Sequence, residues 1–453
     1  MNFFLRDKLQ FVIIALAWVI SGIYMGPVIY VLLPLCVILF KFKDMFFELF
    51  FGFLMLLVLC DSRHPEMRWT VNLKEFYIVM LAVYLLFDKK NFGSYSTFYL
   101  RFLPFILVAF YCVIWAVFPV KAAQKTFSYL LLLFVVPNYV YKLYHDEGDK
   151  FLKNLIWLGN ALLAIGIILY FTNPRLVTFF GRYCGVLGNP NGLGIYTMLN
   201  FLLFSMVKGI RPKLFDKNEQ LFIYVVLIFT LFLSGSRSSI IAVIIFSIFN
   251  YFNKMSPILG IIAFLFILVA YQIIESNLKL IIITLGWGKY FRLDTLESGS
   301  GRIVAWAFAW KEIQNNFFIG KGFSHTDYVF EWNYLALNNK GHNGNAHNSY
   351  LTLWLDTGLV GLAFYIIALL STFVKAALNS RVSIAIMYAI LFQIFFESWL
   401  AASLNPYTIL LIIMLVILSD TNIVKGEEVV EQTDDEKEEK LPDFYPQRFV
   451  PQR

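Results

Sequence analysis

Apolar runs of near bilayer-crossing length, one after another, constrain this chain more than any single motif. They lie near residues 9–25, 27–40, 45–60, 73–87, 100–118, 127–141 and 151–172, and again near 187–207, 220–234, 238–252, 257–274, 349–373, 382–400 and 404–419. A hydrocarbon core about 30 Å thick takes roughly 20 apolar residues per helix, and lipid admits only helices or closed barrels. Some runs are short enough to be halves of one bent helix, so the pattern predicts an all-α polytopic membrane protein with 12–14 transmembrane helices. With 59% hydrophobic and 15% charged residues, little of the chain is left for soluble domains.

The first run follows Arg6 and Lys8 but is succeeded at once by further spans, and Ser21-Gly22 is a weak cleavage site, so it reads as a retained span. The net charge of +7 does not point to nucleic acid, because the basic residues are dispersed among short loops. Counted over those loops, lysine and arginine favour the N-terminal side by about two to one, which predicts both termini in the cytoplasm. Cys36, Cys60, Cys112 and Cys184 show no CxxC pairing and read as small core hydrophobes.

Four regions follow: an N-terminal transmembrane bundle at 1–274, an outward-facing loop at 275–348, C-terminal transmembrane helices at 349–420, and a disordered acidic cytoplasmic tail at 421–453. A hydrophilic insertion this long is usually functional. Within it, Ile303, Trp306, Trp310, Ile313 and Phe317 fall at helical spacing, predicting an amphipathic helix on or in the membrane surface.

Three clusters of chemically capable residues share the outward face. GRYCGVLGNPNGLG at 181–194 joins Arg182 to an Asn189-Pro190-Asn191 turn that can start a helix with backbone N–H groups available to an anion, and Arg175 adds charge nearby. Its plain alternative is a glycine-rich packing interface. LFLSGSRSSIIAV at 231–243 places Arg237 at a hairpin turn among Ser234, Ser236, Ser238 and Ser239, a possible phosphate cradle or a snorkelling arginine. The third is the loop itself, with Arg302 opening its helix, Lys321 in a glycine turn, and GHNGNAHNSYL holding His342, His347, Asn348 and Tyr350.

An imidazole titrating near pH 6.5 can accept a proton from a hydroxyl. His347 adjoins an apolar helix and should be held at fixed depth, whereas His342 lies in a glycine-asparagine loop and should be mobile. The plainer reading has His347 and Asn348 capping that helix. Metal binding by His325, Asp327, His342 and His347 is the rival, but their spacing fits no zinc signature, so neither metal nor cofactor is expected. Glu397, the lone charge between Arg381 and Asp420, is expected near the outer leaflet, paired with one of the outer arginines.

Arg182 with GNPNGLG, SGSR with Arg237, SGR at Arg302 followed by Trp306, then GKGF and AHNSYL with TGLVGL occur in this order. The series resembles the O-antigen ligase and polymerase superfamily of GT-C type membrane glycosyltransferases, over about residues 181–365. The resemblance implies a metal-independent enzyme of the bacterial inner membrane with a periplasmic active site, the 275–348 segment being its catalytic loop. Its donor would be a glycan on undecaprenyl diphosphate, and its acceptor a sugar hydroxyl of lipid A-core, or a growing glycan in the polymerases. Carried over residue by residue, Arg182 and Arg237 match arginines assigned to the pyrophosphate, Arg302 the basic residue opening the loop helix, and His347 the histidine activating the acceptor. Lys74 matches a further basic residue, and Asn348 and Glu397 are support. A protein O-oligosaccharyltransferase is a third possibility within the superfamily. From another class, a lipid-linked oligosaccharide flippase or other transporter would scatter polar groups near the midplane and show paired halves, neither of which is evident.

Overall fold

The computed structural model describes residues 8–252, 257–284, 298–342 and 344–426. The helices in chain order are α1 (Leu9–Tyr24), α2 (Ile29–Phe42), α3 (Phe46–Cys60), α4 (Arg68–Phe87), α5 (Lys89–Phe92), α6 (Leu103–Val113), α7 (Pro119–Glu147), α8 (Asp149–Thr172), α9 (Pro190–Ile210) and α10 (Lys217–Ser234). They continue with α11 (Arg237–Tyr251), α12 (Pro257–Thr284), α13 (Ser298–Asn315), α14 (His325–Trp332), α15 (Tyr334–Asn338), α16 (Ser349–Asn379), α17 (Val382–Phe396), α18 (Pro406–Ser419) and α19 (Thr421–Lys425). A two-stranded hairpin, β1 (Thr178–Phe179) with β2 (Arg182–Tyr183), stands between α8 and α9. Among the described residues, six helices are long and apolar enough to cross a bilayer, and eight further apolar helices are shorter. The protein is an all-α polytopic membrane protein.

Local sequence sets the helix ends that matter for the site. Asn189-Pro190 and Asn405-Pro406 each supply a capping side chain and then a proline whose missing N–H costs nothing in the first turn. Asn189 Oδ1 accepts from Gly192 N at 2.7 Å, and Asn405 Oδ1 accepts from Thr408 N at 2.7 Å. At the opposite end, α10 closes on Gly235 in the left-handed conformation (φ 62°).

In lipid, association of helices rests on packing and interhelical hydrogen bonds rather than on escape from water. Accordingly α11 lies along α17, α9 packs on α10 and α11, and α18 is surrounded by α16, α7 and α9. Tyrosine hydroxyls tie the bundle internally: Tyr77 donates to Leu49 O at 3.0 Å, and Tyr129 donates to Leu400 O. All four cysteines are free, two of them buried and two half-buried.

The segment between α12 and α16 forms a small core of its own. The expected amphipathic helix is present as α13, but its buried stripe is Ala305, Ala309 and Ile313, packed on Val329, Phe330, Leu337, Ala346 and Leu355. Ile303 is 50% exposed, and Trp306 and Trp310 flank the stripe, against Phe395 and Trp354 respectively. Alanines allow the close approach, while the bulky aromatics serve the neighbouring transmembrane helices. Helix α12 runs on to Thr284, past the expected loop boundary at 275. Trp287 and residues 427–453 of the expected tail lie outside the described residues, whereas its first residues, expected to be disordered, form helix α19, which Asp420 caps by accepting from Ile423 N at 2.9 Å.

Helix α16 is broken at Gly358 (φ 73°, ψ 177°). The chain at 317–322 feeds into the break: Leu359 N donates to Phe317 O at 2.9 Å, Val360 N to Phe318 O at 3.2 Å, and Gly322 N to Asp356 O at 2.8 Å. Non-helical backbone at such depth is tolerable only where protein satisfies it, and here each partner supplies the other's missing bonds. A Cβ on Gly358 would collide with the Phe318 carbonyl, and one on Gly320 with the backbone of Asp356 and Thr357.

Candidate functional site

A polar cavity of about 390 Å³ opens where several helix ends meet. Its walls come from the α3–α4 link (Asp61, Arg63), the β-hairpin (Phe179, Phe180, Arg182), the start of α9 (Asn189, Asn191), the loop before α16 (Asn345, His347), the link after α17 (Glu397, Trp399) and Tyr407 of α18.

Glu397 is the hub. It follows directly on the last residue of α17, is only 6% exposed, and its backbone carbonyl accepts from Ser349 Oγ at 2.7 Å, which fixes it to the first turn of α16. Its Oε1 accepts from Asn191 Nδ2 at 3.0 Å and from Arg302 Nη2 at 3.2 Å, and its Oε2 faces His347 Nδ1 at 3.5 Å. Burial pushes this carboxyl up, but His347, Arg302 and Asn191 together more than offset it and hold it below its ordinary value. The expected pairing of Glu397 with an arginine is therefore present, and Arg302 is the partner.

His347 adopts a left-handed backbone (φ 45°), and its N–H donates to Asn345 Oδ1 at 2.9 Å. The next residue, Asn348, caps α16 by accepting from Leu351 N at 3.0 Å, so the plainer capping role belongs to Asn348 alone. Capping leaves the His347 ring to face the cavity while its position is dictated on both sides. Phe180, also left-handed at φ 48°, lines the same cavity. Non-glycine residues in this conformation collect where surroundings over-determine them, commonly at functional sites.

Arg182 donates from Nη2 to Ser234 O at 3.0 Å and Gly235 O at 3.4 Å, completing the carbonyl end of α10, where a cation is favoured. Partial desolvation and the nearby charge of Arg237 push its guanidinium down, while Glu397 pulls the other way. The hairpin turn thus brings Arg182 and Arg237 into one field with Glu397. The SGSRSS serines turn inward: Ser236 Oγ and Ser239 Oγ are 2.9 Å apart, Gln393 Nε2 donates to Ser239 Oγ at 3.2 Å, and Ser234 Oγ donates to Leu231 O at 2.7 Å. Ser239 thereby bonds α11 to α17 while Ser234 is spent within α10, so the hydroxyls do not form the cradle that spacing suggested.

The glycine-asparagine turn also differs from expectation. Gly188 N donates to Asp61 Oδ2 at 3.2 Å and Gly192 N is taken by Asn189, so the anion bound at this turn is the protein's own. Arg175 is exposed and does not line the cavity. Lys74 is set behind the wall, where it donates to Leu404 O at 3.5 Å. Asn348 faces a separate apolar groove with Trp306, Trp354 and Phe395. His342, expected to be mobile, is 3% exposed: Leu337 O accepts its backbone N–H at 3.0 Å, and Phe330 packs on its ring. Asp327 of the rival metal set pairs with Lys125 at 2.8 Å instead.

Asp61, Arg63, Phe179, Phe180 and Tyr407 are cavity residues that the motifs did not single out. Asp61 accepts from Tyr407 OH at 2.8 Å, and burial raises its carboxyl against the pull of that bond. The Arg63 guanidinium stands 4.5 Å above the Phe179 ring. The signal for Asp61 and Arg63 was the polar DSRHPE link after an apolar run.

Residues 222–366 match a family model described as O-antigen ligase, a stretch that holds Arg237, Arg302 and His347. No curated protein matches the chain.

Proposed function

We propose, supported by the match of residues 222–366 to a family model described as O-antigen ligase, that the protein is a metal-independent glycosyltransferase of the bacterial inner membrane, in the O-antigen ligase and polymerase superfamily. It moves a glycan from undecaprenyl diphosphate to a sugar hydroxyl of lipid A-core at the periplasmic face. The observation that carries this reading is the contact of His347 with buried Glu397 at the edge of an arginine-bearing cavity.

In this reaction the acceptor oxygen attacks the anomeric carbon and its proton passes to Nε2 of His347. The carbon–oxygen bond to the diphosphate breaks, and its electron pair leaves on the lipid diphosphate. Glu397, by accepting from Nδ1, keeps the proton there and Nε2 basic. Contacts of this kind are often long in the free site and tighten on substrate. Arg182 and Arg63, which line the cavity, together with Arg237, whose charge acts on Arg182, stabilise charge developing on the diphosphate, work that fixed guanidinium groups perform without a metal. Arg302 neutralises the buried carboxylate on its other edge.

A cavity built from helix ends and loops at one end of the bundle suits a transferase better than a carrier, whose site belongs at the midplane. The test is reconstitution in proteoliposomes with lipid-linked glycan plus either core lipid or a second donor molecule. Transfer to core lipid identifies a ligase; lengthening of the donor glycan identifies a polymerase. His347→Ala should abolish either product, and wild-type protein that makes neither would overturn the proposal.

A further inference from the structure

Phe180 and Gly181 are the two-residue turn between β1 and β2, with Phe179 paired to Arg182 across it. Both turn residues have positive φ, 48° and 72°, the pattern of a type I′ hairpin turn, for which asparagine-glycine is the strongly preferred pair. A bulky side chain in that conformation is a genuine outlier. Packing does not call for it, because Phe180 is 89% exposed and its ring neighbour is Phe179, at 4.3 Å between centroids. The hairpin is nevertheless held firmly. His64 Nε2 bonds Leu176 O at 2.7 Å at its base, Arg182 bonds the end of α10, and the Arg63 guanidinium covers Phe179. An ill-fitting, exposed ring is thus presented on the wall of the polar cavity by a rigid support.

Groups that bond hydroxyls share that wall. Asp61 accepts from both Tyr407 OH and Gly188 N through Oδ2, which leaves Oδ1 without a hydrogen bond among the described residues. An aromatic face beside a carboxylate suits a sugar ring, whose C–H face covers the aromatic while its hydroxyls bond the polar neighbours. A lipid chain in the same place would strip Asp61 and Arg63 of water and give them no partner.

We infer that Phe180 is the platform of a sugar subsite and stacks on the ring attached directly to the donor diphosphate. The inference rests on the proposed reading of Arg182 and Arg63 as groups that hold the diphosphate. Phe180 follows the cross-strand partner of Arg182 in the chain, so the first sugar on that diphosphate is the one within its reach. Phenylalanine at this turn is then kept for the ligand, at the expense of the residue that would form the turn best.

The experiment uses the full chain in nanodiscs and compares wild type with Phe180→Asn, Phe180→Leu and Phe180→Trp. It measures affinity for two probes, undecaprenyl diphosphate bearing one N-acetylglucosamine and undecaprenyl diphosphate alone, with melting temperature alongside. Phe180→Asn and Phe180→Leu should bind the sugar-bearing probe about tenfold more weakly, the order of one lost aromatic face, and should bind the bare lipid diphosphate as wild type does. Phe180→Trp should match wild type on both probes. Phe180→Asn should melt no lower than wild type, because asparagine suits the turn. Equal losses on the two probes would assign the ring to the lipid tail or the membrane surface and overturn the inference. Wild-type affinity for the sugar-bearing probe in Phe180→Asn or Phe180→Leu would overturn it too, and a lower melting temperature in Phe180→Asn would mean that the ring serves packing instead. If Phe180→Asn does not fold, the leucine–tryptophan comparison decides alone. Binding does not depend on turnover: if wild type transfers no glycan on reconstitution, the transferase reading fails while the ratio of the two affinities still decides the role of Phe180.

Discussion

Replacing Glu397 by glutamine keeps the shape of the hub and removes its charge. Both Asn191 Nδ2 and Arg302 Nη2 donate to Oε1, at 3.0 and 3.2 Å. Those two donors claim the glutamine oxygen, so the new NH2 group points at His347 Nδ1, 3.5 Å from the present Oε2. A donor there compels Nδ1 to accept and moves the imidazole proton to Nε2, which can then no longer serve as base. The corresponding carboxylate-to-amide change in a serine protease triad lowers kcat by about 10⁴ through the same wrong tautomer. We expect a kcat loss of about 10³–10⁴ with donor KM changed little, since the diphosphate-facing arginines are untouched. Stability should fall as well: removing one member of a buried ion pair costs about 3–5 kcal/mol, and the Arg302 and Glu397 side chains are only 18% and 8% exposed. The assay is steady-state transfer in proteoliposomes alongside thermal unfolding in detergent. A Glu397→Gln protein with wild-type kcat would refute the tautomer argument, and an unchanged melting temperature would refute the view of Glu397 as a structural hub.

Acid should act on the same group. The folded carboxyl is held below its ordinary 4.5, so its stabilisation is fully present above the unfolded value and is lost as pH falls through the folded one; the acid-side drop in melting temperature below about pH 4.5 should be shallower in Glu397→Gln, and an identical slope would contradict the assignment. Gly358→Ala combines a strained left-handed backbone with a collision against the Phe318 carbonyl, a cost of about 3 kcal/mol or more, visible as a lower melting temperature and poor yield of folded protein. Arg63→Ala should raise donor KM about tenfold or more, the size of a lost charged hydrogen bond, with kcat affected less; unchanged KM would remove Arg63 from the donor site. Chelation with EDTA should leave transfer unaltered, and a loss restored by a divalent cation would overturn the metal-free mechanism.

Part of the cavity was legible in the sequence: Arg182 and His347, each beside an apolar run, line it, and Arg302 meets the same carboxylate as His347. What the sequence could not assign was which polar groups face the cavity and which are spent on structure. SGSRSS looks like a phosphate cradle because serines surround an arginine, yet helical geometry turns Ser236 and Ser239 toward each other and toward Gln393. GNPNG looks like an anion-binding turn and is one, but Asp61, well over a hundred residues earlier in the chain, already occupies it. Glycine and asparagine around His342 suggested mobility; only the packing of α13, α14 and Phe330 around it buries the ring.

By itself, the sequence determined that this chain folds into membrane-spanning helices, since lipid leaves an apolar run of that length almost no other way to satisfy its backbone, and it determined which chemically capable groups stand at the ends of those runs. The tertiary structure decided their pairing. His347, Arg302 and Asn191 come from three separate stretches and converge on one carboxylate at the end of α17, because a buried charge is tolerated only where partners arrive from wherever the packed helices bring them. No periodicity or spacing along the chain encodes that meeting; it exists only once the bundle has closed.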